Sequence, residues 1–223
     1  ELIKVAAART LQPAARINAE EGSYDEFAAR FPYDETDDQR GAIEDVLEDL
    51  SGGRSADRLI CGDVGFGKTE VALRAAFVTA MSGKQVAVVV PTTLLCRQHF
   101  QNFQERFKDF PVHVEQISRL VNQSKIKDAK EGMKTGRVDI VIGTHALLAQ
   151  DVGFRDLGLL IVDEEQHFGV THKEQLKKLK ADVHVLTLTA TPIPRTLQLA
   201  LTGVKEMSII ATPPVDRLAV RTF

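Results

Sequence analysis

Leu59-Ile60-Cys61 runs into Gly62-Asp63-Val64-Gly65-Phe66-Gly67-Lys68-Thr69, and a helix-forming stretch follows from Lys68 to Met81. The segment from Gly62 to Thr69 fits G-x-x-x-x-G-K-[ST], placed between a strand and a helix. Glycines let such a loop curl so that its N–H groups face a ligand, and the helix N-terminus adds its positive dipole. Both features suit phosphate. Lys68 then reaches the β- and γ-phosphates of a nucleotide, and the Thr69 hydroxyl is a ligand for Mg²⁺. All of Gly62, Asp63, Val64, Gly65, Phe66, Gly67, Lys68 and Thr69 are therefore candidate ATP-binding residues. A Gly-rich turn that fits by accident is the competing reading, and the strand–loop–helix setting weighs against it.

Outward from this loop, short apolar runs recur at Val86–Val90, Val112–Ile117, Val138–Ile142, Leu159–Val162, Val183–Leu188 and Met207–Ile210. Helical stretches separate most of them, at Thr93–Lys108, Ser124–Lys134, His172–Lys180 and Pro194–Leu201. Continuous β-branched runs indicate strands covered on both faces. The alternation predicts an α/β fold with a mostly parallel sheet flanked by helices. Thr36 reads as the N-cap of a further helix ending near Leu50, with Asp37 and Asp38 in its first turn. The Ala-rich start, from Glu1 to about Ala19, reads as a helical extension divided by Pro13, and Gly22 and Ser23 break it. The expected division is a helical connector over 1–30 and a nucleotide-binding domain over 31–223.

Leu159-Leu160-Ile161-Val162 delivers Asp163-Glu164-Glu165-Gln166 at the C-terminal end of a buried strand, the rim where ligands bind in such sheets. Asp163 is the expected Mg²⁺ ligand opposite Thr69, and Glu164 the group that orients and deprotonates an attacking water. An acidic turn capping the next helix is the bland alternative. Beside the phosphate loop it is the weaker one.

Composition sets outer bounds. With 43% apolar residues among 223, the chain can bury a real core. A net charge of −3 argues against coating DNA by bulk electrostatics. No apolar run approaches the roughly 18 residues of a membrane span, no secretory leader is visible, and Cys61 and Cys96 form no metal pair. A cytoplasmic setting without membrane partners is expected. Because the chain opens on Glu1, it is expected to be part of something longer.

Several of these strings resemble the superfamily 2 helicases and translocases, from about Phe31 to Phe223. Phe31 with Thr36-x-x-Gln39 is similar to that superfamily's adenine-reading motif. Pro91-Thr92-Thr93-Leu94-Leu95 and Gly143-Thr144-His145-Ala146-Leu147-Leu148 resemble the motifs that lie along a nucleic-acid backbone. Thr189-Ala190-Thr191-Pro192-Ile193-Pro194-Arg195-Thr196 resembles the motif that couples the nucleotide and DNA sites. The resemblance implies a RecA-like P-loop domain, an ATP hydrolase with Lys68, Asp163 and Glu164 as catalytic residues and ATP and Mg²⁺ as cofactors. It also implies that Phe31 and Gln39 read the adenine, that Pro91, Thr92, Thr93, Gly143, Thr144 and His145 contact DNA, and that Gln166, Thr189, Ala190, Thr191 and Arg195 couple the two sites.

The longer strings, with Ile209-Ile210-Ala211-Thr212-Pro213-Pro214, narrow the likeness to the RecG-like group. Among these they fit double-stranded DNA translocases that displace stalled RNA polymerase and couple transcription to DNA repair. Fork-remodelling translocases are the alternative, and a simple P-loop NTPase is a third reading. The implied partners are double-stranded DNA, a second RecA-like lobe with an arginine finger, and, through other modules, RNA polymerase and excision-repair proteins. Without that second lobe, turnover is expected to be slight. His167 departs from the Arg usual in the group. Bland readings suffice elsewhere: Lys173, Lys177, Lys178 and Lys180 form a solvated helix face, Phe100, Phe103 and Phe107 are core, and His167 and His172 lack a third metal ligand.

Overall fold

Alternation along each strand divides the interior in two. Ile60, Val86, Val88, Ile140, Ile142, Leu159, Ile161, Leu186 and Leu188 belong to one buried cluster. Their sequence neighbours Ala87, Val89, Val141, Leu160, Val162 and Val185 belong to another. Successive side chains of a strand point to opposite faces, so a sheet with a core on each side needs both sets apolar. A computed structural model describes residues 14–18, 22–149, 151–180, 183–190 and 206–214.

In chain order the described helices and strands are α1 (Ser23–Ala29), α2 (Asp37–Ser51), β1 (Asp57–Gly62), α3 (Lys68–Met81), β2 (Gln85–Val89), α4 (Thr93–Arg106), β3 (Val114–Ile117), α5 (Gln123–Thr135), β4 (Ile140–Gly143), β5 (Leu157–Asp163), α6 (Val170–Leu179), β6 (His184–Thr189) and β7 (Glu206–Ile210). Single 3₁₀ turns occupy His145–Leu148 and Glu165–His167. The strands form one sheet of seven in the order β3-β4-β2-β5-β6-β1-β7, and every pairing is parallel. Among the described residues no helix is long and apolar enough to cross a membrane.

Helix α3 is buried on all sides from Glu70 to Ala80, sandwiched between the sheet and the α1–α2 layer. A helix buried all round takes its stability from such packing. Helix α2 opens with a reciprocal cap: Thr36 Oγ1 accepts from the Gln39 amide at 3.2 Å, and Gln39 Oε1 accepts from the Thr36 amide at 3.0 Å.

The N-terminal stretch differs from its sequence reading. Residues 14–18 are not helical, while a helix forms at Ser23–Ala29, across the expected break. The cause is pairing with the fold: Ala14 N–H donates to Gly53 O at 3.1 Å and Ile17 N–H to Leu50 O at 2.9 Å. Ile17 thereby enters the core, and Phe27 of α1 stacks on Phe77 of α3 at 4.3 Å. The described part of 1–30 therefore shares the core of the sheet domain. The segment Glu1–Pro13 and the expected helix Pro194–Leu201 lie outside the described residues.

Beneath the phosphate loop, Glu70 is almost fully buried between two guanidiniums. Its carboxylate accepts from Arg74 Nε at 2.6 Å and from Arg106 at 2.9 Å, and Arg74 continues to Glu35 at 2.5 Å. Burial pushes the Glu70 carboxyl above its ordinary range, against the pull of Arg106 and Arg74. Removing one member of such a group strands the other charges without water. Glu70→Ala is accordingly expected to lower the urea-unfolding free energy by about 3 kcal/mol, the scale for breaking a buried ion pair. A loss below about 1 kcal/mol, the surface-pair scale, would show that water replaces the pairing.

Candidate active site

Because all strands run one way, their C-terminal ends share one edge. The neighbours β5, β6 and β1 end there in Asp163, Thr189 and Gly62. The loop from Gly62 to Gly67 turns back through Gly65 (φ +81°) and Gly67 (φ +86°), left-handed conformations that favour glycine. Gly67 also lies against Gln39: a Cβ added there would meet Gln39 Nε2 at 2.3 Å. A Cβ at Gly62 would meet Ile210 O of β7 at 3.0 Å.

Lys68 Nζ donates to Gly62 O at 2.6 Å and to Asp63 O at 2.9 Å. Burial lowers the pKa of its ammonium, while Glu164, Asp163 and Asp63 favour the charge. Lysine and carboxylates thus act on one another across the rim. The Asp63 carboxylate accepts from Val64 N–H at 2.8 Å, leaving Val64 exposed on the loop.

Glu164 has φ +52° and ψ +51°, the one non-glycine positive φ among the described residues. Such backbone costs on the order of 1–3 kcal/mol and persists where surrounding bonds fix it. Here Glu164 N–H donates to Leu188 O at 2.9 Å, and Oε1 accepts from Ala190 N–H at 3.1 Å. Gln166 Nε2 donates to Glu164 Oε2, and Thr189 Oγ1 to Gln166 Oε1 at 3.4 Å. Glu164, Gln166, Thr189 and Ala190 therefore form one network between β5 and β6. Thr191 and Arg195 lie outside the described residues.

Asp163 Oδ2 lies 2.8 Å from His99 Nε2. Asp163 Oδ1 and the Thr69 hydroxyl have no hydrogen-bond partner among the described residues. Two unengaged hard oxygens beside a phosphate loop fit Mg²⁺, which takes a few protein oxygens and completes its shell with water and phosphate.

Gln39, the adenine reader its motif implies, is bonded within the fold. It is 1% exposed, and its Nε2 donates to Phe66 O at 2.9 Å while Oε1 serves the α2 cap. Both ends of the amide are engaged, so Gln39 braces the loop, and an adenine edge would have to displace one bond. Phe31 is half-buried, with the Tyr33 ring edge-on at 5.5 Å.

The other half of the edge carries the loops after β2, β4 and β3. Thr92 is exposed and caps α4, accepting from Leu95 N–H at 3.2 Å, with Pro91 and Thr93 half-buried beside it. Gly143 and Thr144 are buried. They close an interior strand, where a Cβ on Gly143 would meet Leu147 at 2.5 Å and Thr144 N–H donates to Ile117 O. Thr189 is buried too.

His145 is the exposed member of its motif, stacked on His172 at 4.8 Å. Burial, then His172 and Arg119, lower the pKa of its imidazole. The Arg119 acting on it belongs to the loop after β3, a segment that no motif reading singled out. His99 was equally invisible, one polar residue within an apolar helical stripe.

The fold is a RecA-like P-loop domain with its phosphate loop and acidic strand end in register. A profile of the DEAD/DEAH box helicase family matches residues 36–200, and the chain belongs to that family. This is an ATPase-type domain, of a class that binds nucleotide with a metal, generally Mg²⁺. Among curated relatives, the chain is 56% identical to the transcription-repair-coupling factor of Rickettsia bellii, over 99% of its own length and 20% of the relative's. Identity is also 56% to that of Myxococcus xanthus (100% and 19%) and 51% to that of Bacillus subtilis (100% and 19%). The chain thus spans about a fifth of the curated relatives it matches. Among solved structures, RecG bound to a three-way DNA junction superposes with a TM-score of 0.83 at 33% identity, covering 98% of this chain and 29% of RecG. The DUF1998 helicase MrfA bound to DNA shares the fold, with a TM-score of 0.63 at 16% identity over 90% of this chain and 31% of MrfA.

The Gln39–Gly67 contact yields a stability test. Gly67→Ala adds a clash to a left-handed φ and is expected to destabilise the chain by about 2 kcal/mol or more. In a Gln39→Ala background the clash disappears and only backbone strain remains, so the cost should fall by about half. Equal costs in both backgrounds, read from urea melts, would mean that Gln39 does not press on the loop.

Proposed function

We propose that this chain is the ATP-binding lobe of an ATP-driven double-stranded DNA translocase that displaces stalled RNA polymerase and couples transcription to DNA repair. Residues 31–223 form the lobe and residues 1–30 its connector. The observation that carries the nucleotide half is the Lys68 ammonium, tethered to the loop carbonyls and acted on by Asp163 and Glu164. Identity of 51–56% to transcription-repair-coupling factors along the whole chain supports the coupling role. The likeness to RecG supports a DNA motor and keeps fork remodelling as the second reading.

In this reading the loop N–H groups and Lys68 cradle the β- and γ-phosphates, and Lys68 exchanges its carbonyl partners for phosphate oxygens. Thr69 and Asp163 hold Mg²⁺, which when bound neutralises charge on the phosphate oxygens. Glu164, fixed by Ala190 and Gln166, orients the attacking water and accepts its proton. Gln166, Thr189 and Ala190, with Thr191 and Arg195, couple this site to the nucleic-acid face. On that face Pro91, Thr92, Thr93 and His145, with Arg119 beside them, meet the phosphate backbone, so sequence preference is slight. A second lobe supplies the arginine finger, and RNA polymerase and excision-repair proteins engage modules outside this chain. Cytoplasmic residence follows from those partners.

ATP turnover of this chain and of Glu164→Gln, each with and without duplex DNA, tests the proposal. The isolated chain should bind a fluorescent ATP analogue yet turn ATP over barely at all, since an arginine finger contributes about 10³–10⁵ in rate. Joined to the second lobe, the parent should become active and DNA-stimulated, and Glu164→Gln should lower kcat by about 10² or more. Rapid, DNA-independent turnover by the isolated chain would mean a self-sufficient NTPase.

A further inference from the structure

His99 sits in the middle of α4, on the side of the molecule that the nucleic-acid reading uses, yet its ring reaches the acidic end of β5. Nε2 lies 2.8 Å from Asp163 Oδ2, and both side chains are largely buried. The ring is set by packing: Phe103 lies edge-on at 6.5 Å and is itself stacked on Phe107 at 5.9 Å. Nδ1 is buried and has no hydrogen-bond partner among the described residues. Core packing alone does not account for this residue. A Leu or Phe would fill the site without burying an unpartnered nitrogen, which costs free energy. Among the described residues all the hydrogen bonding that the imidazole makes goes to one carboxylate oxygen, and the Asp163 carboxylate has no other hydrogen-bond partner.

We propose that His99 is a positioning residue for the cation site: by donating from Nε2 to Asp163 Oδ2 it fixes that carboxylate and reserves Oδ1 for Mg²⁺. The inference rests on the nucleotide reading of the phosphate loop. Groups that hold a metal ligand from behind set its orientation, and their loss typically lowers metal affinity about 10–100-fold.

Mn²⁺ serves as the probe, its free concentration read by electron paramagnetic resonance in the presence of a non-hydrolysable ATP analogue and the full chain. His99→Leu keeps the volume and removes the donor. It is expected to weaken Mn²⁺ binding to the complex about 10-fold or more. Binding of a fluorescent ATP analogue in EDTA should be unchanged. His99→Gln can place an amide N–H near the position of Nε2 and should recover most of the affinity. The shorter His99→Asn stops short of Asp163 and should resemble His99→Leu, which supplies a polar control if the apolar variant folds poorly. Parent-like Mn²⁺ affinity in folded His99→Leu or His99→Asn would overturn the inference. So would equal losses in all three variants with and without metal, the mark of a merely structural residue. A parent chain that binds no analogue even with Mn²⁺ would instead remove the nucleotide reading, and this inference with it.

Discussion

Seven strands running in one direction are the constraint on which everything else hangs. A parallel pair cannot be closed by a tight turn, so each strand return needs a crossover, and crossovers of consistent hand place helices on both faces. That is why the chain alternates and why its strands are apolar on both sides. It is also why chemistry collects along one edge. With β5, β6 and β1 side by side, Asp163, Thr189 and Gly62 become neighbours although about a hundred residues separate the first from the last. No local sequence feature brings them together; direction and strand order do.

The phosphate loop is held from three directions, and each hold uses a different force. Below it, α3 is fixed by apolar burial on every side and by the Glu70–Arg74–Arg106 group. Beside it, Ile210 of β7 packs on Gly62, where a side chain would collide. Above it, Gln39 hydrogen-bonds the Phe66 carbonyl. Gln39 also completes the α2 cap, and Asp38 next to it accepts from Ala211 N–H, Thr212 N–H and the Thr212 hydroxyl at 2.8–3.0 Å. The first turn of α2 therefore joins the phosphate loop to the segment that leaves β7.

What the sequence made readable follows from this physics. Strands written as continuous β-branched runs were visible because burial on both faces leaves no other composition. Lys68–Met81 was readable to the residue because the phosphate loop fixes one end and Ser82-Gly83 the other. Burial of individual motif residues was not readable. Gly143 and Thr144 belong to a string associated with nucleic-acid contact, but a string does not record that an interior strand ends there. Residues 14–18 have helical composition, and pairing with Leu50 and Gly53 overrides it. His99 gave no signal because its significance lies in a carboxylate sixty-four positions away.

The two halves of the sheet edge are joined physically by α4. Its first turn, capped by Thr92, stands at the end of β2 among the loops proposed to meet nucleic acid. Two turns on, about 9–10 Å along the axis, His99 grips Asp163. Phe103 and Phe107, both fully packed, pin the later turns of this helix to the core. His99 lies between the Thr92 cap and the Phe103 anchor, so α4 ties the loop after β2 to the acidic end of β5. Beside β5, the Glu164–Gln166–Thr189 network gives the same rim a second mechanical connection, toward β6. One connection holds Asp163 and the other Glu164, so two neighbouring carboxylates are fixed by separate parts of the fold.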